Sequence, residues 1–154
     1  MGQEGLVSEY SHFMEEVAMF TKVHHVTYVV QNVQEMAEYL EKNFGMKPES
    51  ADEFPERGYK SILYCVGPTI VDFFEPTRDD TGMARQLRES GPGIAHVAWG
   101  VEGIDQVFSD LQRKGNELRG NGPSTSPFGY KTISIETSSS HGIYFQLAEG
   151  EVSK

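Results

Sequence analysis

Two histidines, one aspartate and one glutamine stand where their chemistry could be pooled. His25 lies within Val23-His24-His25-Val26-Thr27-Tyr28-Val29-Val30, and His96 within Ile94-Ala95-His96-Val97-Ala98-Trp99-Gly100-Val101. Asp72 sits in Ile70-Val71-Asp72-Phe73-Phe74-Glu75, and Gln146 in Tyr144-Phe145-Gln146-Leu147-Ala148-Glu149. Two imidazoles, a carboxylate and an amide oxygen suit a divalent first-row metal ion, with Zn, Co, Ni, Mn or Fe favoured over Ca or Mg by the nitrogen ligands. Four protein donors would leave one or two positions of an octahedral shell open for a chelating substrate. Asp72, flanked by Val71 and Phe73, also needs a cation or a hydrogen-bond network, because an unpaired buried charge is very costly. Taken singly, each residue has a plainer role: a hydrogen-bonded core histidine, a loop-end cap, a surface amide. Their pairing is what points to a metal.

That pairing comes from an internal repeat. The two His-centred blocks are rich in β-branched and aromatic residues and predict strands. Each is followed by apolar residues at helical spacing, Met36, Ala37, Tyr39, Leu40 and Phe44 in one case and Ile104, Val107, Phe108 and Leu111 in the other. The helices are expected to stop at Gly45 and Gly115. Gly58-Tyr59-Lys60-Ser61-Ile62 then recurs as Gly129-Tyr130-Lys131-Thr132-Ile133, at the same separation as His25 from His96. Each half is therefore a strand, a helix and a meander of about three strands. One such unit cannot bury both its helix face and its sheet face, whereas two together can. The expected fold is α+β, two βαβββ repeats (about 22–76 and 93–150) in one domain over 22–150, with an N-terminal extension over 1–21.

Strand alternation assigns faces. His25 shares one with Thr27 and Val29, and His96 with Ala98 and Gly100, the sides with smaller neighbours where a pocket could open. Val26, Tyr28 and Val30, like Val97, Trp99 and Val101, are expected under the helices. By the same rule His24 points to the helix side and is rejected as a ligand. Ser61, Lys60, Lys131 and Thr132 are plausible substrate contacts, the lysines being equally readable as solvated edge-strand charges.

Against 13 Lys and Arg stand 23 Asp and Glu, a formal charge of −10, which disfavours nucleic acid and anionic membranes as partners. No apolar run reaches the roughly 20 residues of a membrane helix, and the acidic first 20 residues do not read as a targeting signal. Met14, Val17, Ala18 and Phe20 could form the apolar side of a short accessory helix. The single cysteine, Cys65, fits a reducing cytoplasm and, within the apolar run Ile62 to Val66, reads as a buried small hydrophobe.

These motifs resemble the vicinal oxygen chelate superfamily (glyoxalase I, methylmalonyl-CoA epimerase, extradiol dioxygenases, fosfomycin and bleomycin resistance proteins) over about residues 22 to 149. Within it the match is best to methylmalonyl-CoA epimerase, through His25-Val26-Thr27, Val71-Asp72-Phe73-Phe74-Glu75-Pro76, the helix-like Met83-Ala84-Arg85-Gln86-Leu87, Gly93-Ile94-Ala95-His96 and Gly142-Ile143-Tyr144-Phe145-Gln146-Leu147. The resemblance implies a metal held by His25, Asp72, His96 and Gln146, a small-molecule substrate and a homodimer. Gln146 stands where the family usually has a basic Glu, Ser61 near its other proton-transfer Glu, and Asp72 where Gln or Glu is common. The expected activity is that of a metal-dependent isomerase, epimerase or lyase on a carbonyl or acyl-CoA substrate, stabilising an enolate by Lewis-acid polarisation. Asp72 is the candidate proton-transfer group. An Fe(II)-dependent dioxygenase using both histidines and Asp72, or a non-catalytic binding protein of the drug-resistance type, are the alternatives.

Overall fold

The structure, a computed structural model, describes residues 18–152. The Met14 and Val17 part of the expected accessory helix lies outside them; Ala18, Met19 and Phe20 are not helical. Instead Phe20 stacks on Trp99 at 5.1 Å between ring centroids.

The first repeat runs β1 (Lys22–Val29), α1 (Val33–Phe44), β2 (Ser50–Phe54), β3 (Tyr59–Val66) and β4 (Thr69–Pro76). A linking helix α2 (Gly82–Ser90) leads to β5 (Gly93–Gly100), α3 (Ile104–Arg113), β6 (Ser124–Thr125), β7 (Lys131–Ile135) and β8 (Phe145–Glu149). The strands make one sheet in the order β2-β3-β4-β1-β5-β8-β7-β6. Within each repeat the first and last strands are parallel, β1 with β4 and β5 with β8. Among the described residues the only strand pairing between the repeats is that of β1 with β5, antiparallel. This is the expected α+β fold of two βαβββ units, and the sheet curls into a half-barrel. Its two ends meet: Phe54 on β2 touches Phe128, beyond β6, at 5.4 Å between centroids.

Among the described residues three apolar clusters hold the layers. On the concave face Tyr59, Leu63, Ile70 and Phe74 of the first repeat pack with Ala98, Phe128, Tyr130 and Ala148 of the second. On the convex face α1 covers Ile62, Tyr64 and Phe73, while Ile104, Val107 and Phe108 of α3 cover Ile133 and Leu147. Asn32 caps α1, its Oδ1 accepting from Glu35 N at 2.9 Å, and Gly45, at φ 66°, ends it in the left-handed conformation.

A repeated carboxylate ties each helix to its sheet. Glu75, near the end of β4, accepts from Val33 N at the start of α1 at 3.0 Å. Its counterpart Glu149, at the end of β8, accepts from Gly103 N and from Ile104 N at the start of α3. The N-cap of α3 is Gly103, which has no side chain to offer, so Glu149 supplies both the acceptor and the negative charge favoured at a helix N-terminus. Replacing Glu149 with Ala is expected to cost about 1 kcal/mol, read as a lower urea midpoint with an unchanged slope. An unaltered midpoint would show that the contact contributes nothing.

Candidate metal centre and proton-transfer site

Registry across the β1–β5 seam places the chemistry. Thr27 lies opposite His96, and His25 opposite Ala98. Asp72 is beside Thr27 on β4, and Gln146 beside Ala98 on β8. Each histidine thus faces, across the seam, the small residue that separates it from the other repeat's last strand. Directly paired residues share a face, so all four candidate side chains emerge on the concave side. The small neighbours, Thr27 and Ala98, leave room for the rings to lean together. His25 Nε2 and His96 Nε2 come within 3.2 Å.

Neither ring is charged near neutral pH. Burial, then the adjacent His96 and His24 rings, lowers His25 to about 3, opposed by the Gln146 amide. Burial lowers His96 to about 4, again opposed by Gln146. Two neutral imidazoles with converging Nε2 atoms fit neighbouring ligands of one divalent ion, whose bonds to nitrogen are about 2.1 Å. Gln146 offers a third donor. Its Nε2 donates to the Tyr144 hydroxyl at 3.5 Å, and that hydroxyl is also hydrogen-bonded to Ser134 Oγ at 2.7 Å. The amide is turned so that its buried Oε1 sits beside both rings without an aligned donor. A buried acceptor without a partner is what a cation would satisfy. The donor set fits a divalent ion.

Asp72 behaves differently from its counterpart. It is 0 % exposed, and Oδ1 accepts from Thr27 Oγ1 at 2.5 Å while Oδ2 has no partner. Among the described residues no Lys or Arg pairs with it, and no three His, Cys, Asp or Glu side chains are gathered as one ion would require. The arrangement of His25, His96 and Asp72 expected for an iron dioxygenase is therefore not assembled. The reason is local: Asp is one methylene shorter than Gln, and the Thr27 hydroxyl holds it where Ala98 offers Gln146 nothing. Burial raises the Asp72 carboxyl to about 7, with the Thr27 hydrogen bond opposing. Tyr59 and Tyr130 face it, both raised chiefly by burial and in part by the Asp72 charge, Tyr59 to about 12.

The expected substrate contacts divide by face. Ser61 is buried on the concave side with its Oγ unpartnered, and Thr132, opposite Ala148, shares that side. Lys60 and Lys131 do not. They share a face with Ile62 and Ile133 of the helix-side clusters and pair with Glu75 at 3.9 Å and Asp105 at 3.4 Å. Both lysines serve the convex face and are removed from the candidate site.

Two further readings are corrected. Cys65 is exposed, lying near the hairpin end of β3 on a cleft of about 810 Å³ that His24, Phe54 and Ile70 also line. His24 is not under a helix. Val23 pairs with Trp99 and His25 with Ala98, so His24 is an extra residue in a β-bulge, which re-aims its side chain. It is 3 % exposed and hydrogen-bonds His25 Nδ1 at 2.8 Å and Gly150 O at 2.7 Å. Alternation could not reveal this, because a bulge is set by the partner strand. Tyr144 was also missed, although its spacing of two from Gln146 could have placed it on the same face.

A sequence model of the Glyoxalase/Bleomycin resistance protein/Dioxygenase superfamily matches residues 24–130. No curated protein matches the chain. Among solved structures, the chain is similar to a variant of Streptomyces coelicolor methylmalonyl-CoA epimerase in complex with 2-nitronate-propionyl-CoA, with a TM-score of 0.77, 19% identity and coverage of 86% of this chain and 99% of that one. The Mycobacterium tuberculosis methylmalonyl-CoA epimerase aligns with a TM-score of 0.79 at 20% identity, over 88% of this chain and 91% of that one. A selenomethionine-labelled methylmalonyl-CoA epimerase aligns at 0.78 and 26%, over 86% and 97%.

The raised Asp72 carboxyl has a consequence for stability. The folded protein keeps a proton that the unfolded chain releases above about pH 4, so stability falls as pH rises from about 4 to 7. Asp72→Asn keeps the acceptor for Thr27 and carries no charge. In metal-free protein the variant is expected to be more stable than the parent by about 4 kcal/mol above pH 7, with no advantage below pH 4. Parallel denaturation curves across that range would refute the assignment.

Proposed function

Because this chain belongs to the Glyoxalase/Bleomycin resistance protein/Dioxygenase superfamily and converges two neutral imidazoles with an unpartnered amide oxygen, we propose that it is a metal-dependent isomerase or lyase acting on a carbonyl compound, with acyl-CoA thioesters the first class to test. The observation that carries this reading is the 3.2 Å approach of His25 Nε2 to His96 Nε2 beside the unsatisfied Gln146 Oε1. His25, His96 and Gln146 would hold the ion. A divalent metal there supplies Lewis-acid polarisation of a carbonyl and so acidifies the adjacent C–H.

Asp72 is the proton-transfer group in this reading. A carboxylate bound tightly to a metal is a weak base, whereas Asp72 is held by Thr27 and keeps Oδ2 free. Its affinity for a proton near pH 7 suits a group that must both take and return one. Gln146 cannot exchange protons, so it serves as ligand only. Asp72 is fully buried with Tyr59 and Tyr130 near it. The likeness to methylmalonyl-CoA epimerases supports an acyl-CoA substrate, since the Streptomyces coelicolor variant holds 2-nitronate-propionyl-CoA and a further methylmalonyl-CoA epimerase of similar fold holds methylmalonyl-CoA.

Elemental analysis of purified protein is expected to find one divalent first-row metal per chain, lost in His25→Ala and His96→Ala. Solvent deuterium should enter the carbon next to the thioester carbonyl of methylmalonyl-CoA or a related acyl-CoA. Asp72→Asn should keep the metal and slow that exchange by about 10²–10⁴-fold. Metal without exchange in any acyl-CoA or hemithioacetal would defeat the catalytic reading. The cleft of about 810 Å³ is lined by none of His25, Asp72, His96 and Gln146, which supports one alternative, a small-molecule binding protein, and binding without turnover would select it.

A further inference from the structure

His24 belongs to neither repeat's matched set, yet it is buried on the concave side with both ring nitrogens engaged. The backbone carbonyl of Gly150 can only accept, so His24 Nε2, at 2.7 Å, carries its proton. A neutral His24 then has a bare Nδ1, which accepts from His25 Nδ1–H at 2.8 Å. A neutral His25 protonated at Nδ1 has its lone pair on Nε2, the atom that faces His96 Nε2. Three groups thus form one directed chain, Gly150 C=O to His24 to His25, that ends at the candidate metal position. Its far end is anchored: Gly150 has φ 109° with Tyr130 backbone and Cβ about it, and Tyr130 also packs edge-on against the His24 ring at 4.8 Å.

We propose that His24 is a positioning residue that locks His25 in the tautomer whose Nε2 lone pair is free for a metal ion, by relaying the hydrogen-bond direction of the Gly150 carbonyl. Imidazole ligands usually donate their remote N–H to a carboxylate, a carbonyl or water. Here a second imidazole, inserted by the β-bulge, takes that place. The partner ring is not fixed in the same way, because no hydrogen bond to His96 Nδ1 is made among the described residues. In metal-free protein His96 therefore supplies Nε2–H to His25, and only His96 has to change tautomer when an ion binds. The inference deepens the proposed metal site and adds a role for a residue that holds neither metal nor substrate.

The test reads the tautomers directly. In metal-free, ¹⁵N-histidine-labelled protein near pH 7, two-bond ¹⁵N–¹H correlations should show His24 protonated at Nε2, His25 at Nδ1 and His96 at Nε2. His25 protonated at Nε2 would overturn the inference whatever metal the protein binds. Conversely, the expected tautomers in a protein that binds no Zn²⁺ or Co²⁺ would uphold the chain and defeat the metal reading instead. The variant arm uses His24→Gln, whose amide oxygen can accept from His25 and whose amide N–H can donate to Gly150, against His24→Phe, which can do neither. Co²⁺ affinity by competition titration is expected to fall about 10–100-fold in His24→Phe and to recover to within a few-fold in His24→Gln. Equal losses in both variants, with both folded by circular dichroism, would mean that His24 acts by packing alone and would also overturn the proposal. Should His24→Phe fail to fold, the tautomers in the parent protein still decide.

Discussion

The antiparallel seam between β1 and β5 is the constraint on which the site depends. Among the described residues it is the only strand pairing between the repeats, and it sets Thr27 opposite His96 and His25 opposite Ala98. A slip of one residue would turn either histidine to the helix side. Because β4 and β8 join the outer edges of this pair in parallel registry, the same seam also fixes where Asp72 and Gln146 emerge. Geometry at the centre is thus a consequence of backbone hydrogen bonding, with side chains adding the final approach.

Within that symmetric frame the two halves have diverged in a way that separates roles. Ala98 beside Gln146 leaves the amide free to be oriented by Tyr144 and to lie against both imidazoles. Thr27 beside Asp72 captures the carboxyl instead. An amide is a neutral ligand without acid–base chemistry, and a carboxyl free of metal is the reverse. In the proposed site one residue pair would therefore complete a binding set while the other retains a proton, and the difference traces to a hydroxyl and a methylene.

Electrostatics reinforce the separation. The chain is strongly acidic, and its two most suggestive lysines, Lys60 and Lys131, are committed to carboxylates on the convex face. Glu75 and Glu149 are committed likewise, to the starts of α1 and α3. Nothing cationic among the described residues reaches Asp72. An enclosed carboxyl without a cation holds a proton rather than a charge, and that is the state Asp72 adopts until pH approaches 7. Such an arrangement is destabilising and is of the kind concentrated where chemistry occurs.

The duplication, the order of strands and helices, and the likeness of His25 to His96 and of Asp72 to Gln146 were all legible in the sequence. Period-two and helical apolar patterns are local, and a repeated pentapeptide at a constant offset leaves little freedom in how the halves correspond. The concave side for His25 and His96 followed from the same alternation. What the chain alone could not disclose was decided between strands. The bulge that turns His24 inward exists only because β5 offers one residue where β1 has two. The capture of Asp72 by Thr27, the partners of Lys60 and Lys131 and the exposure of Cys65 depend on neighbours distant in sequence. Side-chain type and spacing determine which groups are available; hydrogen-bond registry and packing across the seam determine which of them meet.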